Sequence, residues 1–212
     1  MLEITNLVAG YRSRPVAKLA ALKVEKGGAT LLLGPSGSGK TTLLLAIAGL
    51  AQTLSGTVTI EGEDFAKLSA VERDRRRGRR IGFIFQDLHL VPGLSAIENV
   101  LLAPFAAGVS QDRRRAQQLL SSLGLGPKAN RAAERLSRGE AQRAAIARAM
   151  LLKPALILAD EPTASLDDPT CANVAQLLDD AAKETGAALL IATHDQRLKA
   201  RFANVVNVES VS

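Results

Sequence analysis

The chain has 212 residues, 47% of them hydrophobic, with a formal net charge of +6 and a single cysteine, Cys171. That length and apolar content suit one globular unit with a substantial core and exclude a disordered chain. No apolar run approaches the roughly 20 residues of a membrane-spanning helix, Met1 to Thr5 lacks signal-peptide character, and one cysteine allows no internal disulfide. A cytosolic, reducing compartment is expected.

The charge is concentrated. Residues 73 to 80 hold six arginines and one aspartate, which accounts for most of the net charge. Aromatics make up 3% of the chain and none interleaves the arginines, so no nucleic-acid partner is expected. The run reads as a solvated helix face, with attraction to an anionic membrane surface as the second reading.

In chain order, Leu2 to Thr5, Lys18 to Val24 and Ala29 to Leu33 read as strands, with Lys26-Gly27-Gly28 as a turn. Gly34-Pro35-Ser36-Gly37-Ser38-Gly39-Lys40-Thr41-Thr42 then separates the third strand from a helical run, Leu43 to Leu50. A Gly-x4-Gly-Lys-[Ser/Thr] match between a strand and a helix is a phosphate cradle. Its glycines let the backbone wrap closely, and its N–H groups converge on phosphate oxygens at a helix start. Lys40 is expected to reach the β- and γ-phosphates and Thr41 to meet Mg²⁺. This is a nucleoside-triphosphate site.

Further on, Thr57 to Ile60 reads as a strand followed by a turn at Glu61-Gly62-Glu63. Ser69-Ala70-Val71-Glu72 is a capping box opening a short helix that Gly78 should end, before a strand from Ile81 to Phe85. Ser95-Ala96-Ile97-Glu98 opens a helix expected to stop near Pro104, and Ser110 to Leu123 is a second one closed by Gly124. Ser137-Arg138-Gly139-Glu140 is a third capping box, opening an alanine-rich helix to about Leu152. Ala155 to Ala159 is a buried strand, Asp168-Pro169 starts a helix that Gly186 ends, and Ala187 to Thr193 and Val205 to Val208 are strands. Apolar strands alternating with helices predict an α/β fold with a mostly parallel sheet covered on both faces. The β-rich start adds an antiparallel subdomain. The expected layout is one domain over 1–212. About 1–86 and 153–212 form the nucleotide-binding core, and about 87–152 an inserted helical subdomain.

Leu156 to Ala159 leads into Asp160 and Glu161, an apolar strand ending in two carboxylates. Beside a phosphate loop, one such acid can reach Mg²⁺ and the next can accept a proton from an attacking water. Upstream lies Leu136-Ser137-Arg138-Gly139-Glu140-Ala141-Gln142-Arg143. It resembles the signature of the ATP-binding cassette (ABC) ATPases, Leu-Ser-Gly-Gly-Gln followed by a Gln-Arg helix. The resemblance extends over essentially the whole chain. It implies that Gln86 is the glutamine touching Mg²⁺ and the lytic water, Asp160 the Mg²⁺-linked acid, Glu161 the catalytic base and His194 the switch histidine. Ala164-Ser165-Leu166-Asp167 is similar to the D-loop, with Asp167 near nucleotide, and Tyr11 matches the aromatic on which adenine stacks. Ser137, Gly139 and Glu140 would bind the ATP held by a second copy. Arg138 and Glu140 depart from the family's glycine and glutamine.

The stretches Ile81 to Gln86, His89 to Pro92 and Ile97 to Val100, with Glu140 in the signature, resemble the lipoprotein-releasing and macrolide-efflux ATPases. That implies an ATP- and Mg²⁺-dependent homodimer, cytoplasmic and peripheral on the inner face of the membrane. It would drive integral membrane permease subunits that dock near residues 87–105. The apolar residues Leu88, Leu90, Val91, Pro92 and Leu94 are expected to line the docking groove. A regulator of a non-transporting membrane complex, as in control of cell-wall hydrolases, is the alternative.

Overall fold

A computed structural model describes residues 1–164 and 166–208; Ser165 of the expected D-loop lies outside the described residues. Strands β1 (Leu2–Tyr11), β2 (Arg14–Val24), β4 (Gln52–Ile60) and β5 (Glu63–Asp64) form an antiparallel sheet in the order β2-β1-β4-β5. Strands β3 (Ala29–Leu33), β6 (Ile81–Ile84), β7 (Leu156–Asp160), β8 (Ala188–Thr193) and β9 (Asn204–Asn207) form a parallel one in the order β6-β7-β8-β3-β9. The expected α/β architecture is present. β1 and β2 extend well beyond the apolar cores Leu2–Thr5 and Lys18–Val24. Their outer residues pair across a two-residue turn, in which Arg12 and Ser13 take φ of 48° and 64°.

Every residue of β7 and β8 is buried, as strands covered on both faces must be. Alternate side chains go to two cores. Ile157, Ala159, Leu189 and Ile191 point to one, shared with helices α3 (Ala96–Ala106), α4 (Arg113–Ser122), α5 (Arg138–Met150) and α6 (Asp168–Thr185). Leu156, Leu158, Leu190 and Ala192 point to the other, where α1 (Lys40–Ile47) lies between the two sheets. Leu43, Leu44 and Ile47 of α1 are fully buried there against Leu2, Ile4 and Leu7 of β1.

Several helix boundaries differ from expectation, that of α2 because of packing that no local pattern encodes. Helix α2 (Ala70–Arg80) runs through Gly78. A Cβ at that position would sit 3.3 Å from the Cα and Cβ of Ala107, so this glycine serves helix–helix approach rather than termination. Helix α3 continues past Pro104, which is buried in its last turn, where the proline costs one ladder bond only. Helix α6 is capped by Asp167, whose side chain accepts from the Thr170 N–H; Asp168 is already helical. The three serine capping boxes form as expected, at Ser69–Glu72, Ser95–Glu98 and Ser137–Glu140. No helix among the described residues is long and apolar enough to cross a membrane.

Candidate functional site

Because β3, β6, β7 and β8 are parallel, their C-terminal tips share one edge, and the chain leaves that edge through the candidate residues. Gly34 to Gly39 follows β3, Gln86 lies just past β6, Asp160 ends β7 with Glu161 next, and His194 follows β8. Glycines shape the loop. Gly37 and Gly39 take φ of 83° and 86°, and a Cβ on Gly39 would lie 2.5 Å from the Cβ of Ala17 on β2. Gly39 is the N-cap of α1 without a side-chain cap, so the first N–H groups of that helix face outward for an anion.

An open pocket of about 350 Å³ forms over this edge. The loop supplies Ser36, Gly37, Gly39, Lys40, Thr41 and Thr42; Gln86, Glu161 and His194 come from the strand tips. Val16 of β2 also lines it, a residue that carries no sequence signal of its own. Lys40 is 6% exposed and donates to the carbonyls of Gly34 at 2.8 Å and Pro35 at 3.0 Å. Its Nζ lies 3.5 Å from Glu161 Oε1. Ser38 is buried beneath the loop, where its hydroxyl and the Val208 carbonyl leave no room for a side chain at position 34.

Glu161 is held from several sides. Its φ is 46°, a left-handed conformation that costs a residue with a Cβ about 1–2 kcal/mol. Its backbone N–H is fixed to Ala192 O at 2.8 Å. Thr193 Oγ1 donates to Oε2 at 2.9 Å, and His194 Nδ1 meets Oε1 at 2.9 Å. Neighbouring Asp160 is 4% exposed. Burial pushes its carboxyl up, with the Thr41 hydroxyl pulling the other way. Its Oδ1 has no hydrogen-bond partner among the described residues.

Nine predicted residues are not in this pocket's lining: Gly34, Pro35, Ser38 and Asp160 belong to the same loop and strand tip, and five others lie elsewhere. Tyr11 is 48% exposed at the end of β1, opposite Arg14. Ser137 and Gly139 begin α5, and around Gly139 a Cβ would meet only the far end of Arg143 at 3.7 Å. Glu140 is turned inward: it accepts from Lys128 and from the Ser137 N–H, which hold its carboxyl below the usual range. Asp167 caps α6. Arg138 bends back, donating from Nη2 to Ala164 O at 3.3 Å, so it does not cover Gly139.

The family model for ABC transporters matches residues 18–164, from β2 past the two carboxylates at the end of β7. The chain belongs to the ABC transporter family. This ABC ATPase is 43% identical over 189 residues to the lipoprotein-releasing system ATP-binding protein LolD of Novosphingobium aromaticivorans, covering 88% of this chain and 84% of that one. It is 44% identical over 194 residues to LolD 2 of Caulobacter vibrioides, covering 91% and 85%. Among solved structures, a dimeric ATP-binding cassette in a post-hydrolysis state with ADP and Pi superimposes with a TM-score of 0.86 at 32% identity, covering 99% of this chain and 94% of that one. A Clostridium perfringens subunit of an ABC transporter complex gives 0.86 at 26% identity, covering 100% and 86%. The expected fold and ATP-hydrolysing class therefore hold for this ABC ATPase.

Thr193, Asp195 and Arg197 also stand at this edge, unmarked by any motif in the sequence. Thr193 is fully buried and orients Glu161. Asp195 and Arg197 form a fork whose partners come from the loop after β7. Nothing in their own spacing marks them.

Proposed function

We propose that this ABC ATPase is the nucleotide-hydrolysing subunit of a lipoprotein-releasing type transporter, working as two identical chains on the cytoplasmic face of the membrane. The observation that carries the mechanism is the Glu161 carboxylate, held by Thr193 and His194 within 3.5 Å of Lys40 at the mouth of the phosphate loop. A carboxylate fixed there can take a proton from water attacking a γ-phosphate, while His194 and Gln86 position that water. Tyr11 would support the adenine.

Mg²⁺ fits the residues present. Among the described residues no three acids, histidines or cysteines gather into a metal cage, but Mg²⁺ commonly keeps waters and substrate phosphates as ligands. The unpartnered Asp160 Oδ1, beside Thr41, is an oxygen suited to such an ion. Thr41, Asp160 and Gln86 would hold it, and it would neutralise charge on the phosphate oxygens.

Two features support a composite site shared by two copies. Ser137 and Gly139 stand at a capped helix start away from the pocket of their own chain, and the similar cassette above is a dimer. Each ATP would lie between one copy's Gly34–Thr42 and the other's Ser137 and Gly139. Residues 87–152 would then be the helical subdomain that membrane permease subunits engage. Of the expected docking stretch 87–105, Leu102 and Ala103 line an apolar groove of about 270 Å³ with Gly82, Phe83 and Ala106. The segment from Leu88 to Leu94 is instead tied down by Arg148 and the buried Asn99, and none of Leu88, Leu90, Val91, Pro92 and Leu94 lines that groove.

The deciding experiment uses Glu161→Gln. We expect hydrolysis to fall by roughly 10² to 10⁴ with nucleotide binding retained, and the ATP-loaded variant to run as a dimer that captures integral membrane subunits from solubilised membranes. Wild-type turnover by this variant would end the mechanism. Captured subunits that move no lipoprotein when reconstituted would favour the regulatory alternative.

A further inference from the structure

Between Glu161 and α6, arginines from two other parts of the chain grip the carbonyls of Ala164 and Leu166. Arg138 donates to Ala164 O at 3.3 Å, and Arg197 donates to Leu166 O from Nη1 and Nη2, each at 3.3 Å. Arg197 lies in the 3-10 turn Gln196–Ala200 that follows His194 and Asp195. Its guanidinium also forks onto Asp195, Nε to Oδ1 at 2.9 Å and Nη2 to Oδ2 at 2.7 Å, and meets Asp168 through Nη1.

Asp195 is the hub of this cluster, with its side chain only 12% exposed. Its Oδ2 also accepts from Thr163 Oγ1 at 3.1 Å. Its backbone N–H donates to Thr193 Oγ1 at 3.0 Å, and that hydroxyl donates on to Glu161 Oε2 at 2.9 Å. One path of hydrogen bonds therefore runs from Arg197 through Asp195 and Thr193 to the Glu161 carboxylate. A second runs from Arg197 through Leu166, whose N–H donates to Thr163 O at 3.2 Å, back to the Ala164 N–H on Glu161 O at 3.1 Å.

We infer that Arg197 is a positioning residue for ATP hydrolysis: it locks the loop after Glu161 to the loop that carries His194, so both side chains reach the pocket as one unit. This rests on the roles proposed above for Glu161 and His194. The fork matters as much as the charge. A planar guanidinium can serve a carboxylate and a carbonyl at once in a fixed geometry, which a lysine ammonium on a flexible stem cannot. Without it, a largely buried Asp195 carboxylate loses its cation and the two loops are joined by fewer contacts. A displacement of about 1 Å at a reacting group can cost as much as 10²-fold in rate.

The test is steady-state ATPase kinetics on full-length wild type, Arg197→Ala, Arg197→Lys, Asp195→Asn and the Asp195→Asn/Arg197→Ala double variant, with a thermal midpoint for each. Arg197→Ala is expected to lower kcat by about 10- to 100-fold with KM for ATP little changed. Arg197→Lys should recover only part of the loss. The double variant should be no slower than the slower single one, because the arginine acts through Asp195. Wild-type kcat in Arg197→Ala, or a loss confined to KM, overturns the inference. If Arg197→Ala melts below the assay temperature, Arg197→Lys decides, and a kcat equal to wild type overturns it. A wild-type protein without ATPase activity would bring down the assigned roles of Glu161 and His194 as well, which separates that failure from this one.

Discussion

Asp160 shows at the residue scale how a functional group can weaken the fold that holds it. It is a nearly buried carboxyl with one oxygen that no donor reaches, and burial disfavours its charged form. Asp160→Asn removes that buried charge at little steric cost. We expect the nucleotide-free variant to melt a few degrees above wild type at neutral pH, while Mg²⁺-dependent hydrolysis is lost. A lower melting point would show that Lys40 and Thr41 already compensate the charge. Asp195 behaves in the opposite way. The Arg197 fork, its largest influence, holds this carboxyl far below the usual range. A carboxyl lowered by folding contributes stability that is complete above its unfolded value, near pH 4, and is lost as the pH falls through its folded value. Arg197→Ala should therefore weaken the protein at neutral pH and flatten the acid limb of its denaturation curve. An unchanged acid limb would mean that Asp195 is held down by other donors.

At the scale of elements, the three serine capping boxes offer a comparison built into one chain. Each satisfies two otherwise orphaned N–H groups, so Ser69→Ala, Ser95→Ala and Ser137→Ala should each cost about 1 kcal/mol in denaturant titrations. ATPase activity should fall only for Ser137→Ala, since of these three helices α5 alone is proposed to present its N-terminus to a nucleotide. Equal activity losses in all three would reduce Ser137 to a cap. These boxes were legible in the sequence because a cap is a contact three residues long. The phosphate loop was legible for the same reason, and Ala29–Leu33 forms β3 as expected. Gly78 does not end its helix because what accommodates it is tertiary, the close approach of Ala107; Pro104 falls in the last turn of α3, where the helix tolerates it. The bridge from Arg197 to Leu166 and Asp168 was illegible because those partners lie about thirty positions earlier in the chain.

At the scale of the whole molecule, the Ser137 helix start is not part of the pocket over the phosphate loop, so one copy is expected to carry two half-sites and no complete one. Specific ATPase activity should then rise with protein concentration and level off once the dimer is populated. Activity strictly proportional to protein down to dilute monomer would remove the shared site while leaving the phosphate loop intact. The arrangement of motifs along the chain was readable without coordinates. Which strand tips they share depends on the order β6-β7-β8-β3-β9, which no local pattern carries.

The parallel sheet also works as a partition. Alternate residues of β7 and β8 serve two hydrophobic clusters that have no buried residue in common, one containing α1 and the antiparallel strands and the other α3 to α6. Substitutions can accumulate on the helical side without repacking the layer beneath the phosphate loop. A lineage could therefore change what the helices engage while its nucleotide chemistry stays still, and chimeras that exchange α3 to α5 between relatives should keep nucleotide binding even where they lose their partner.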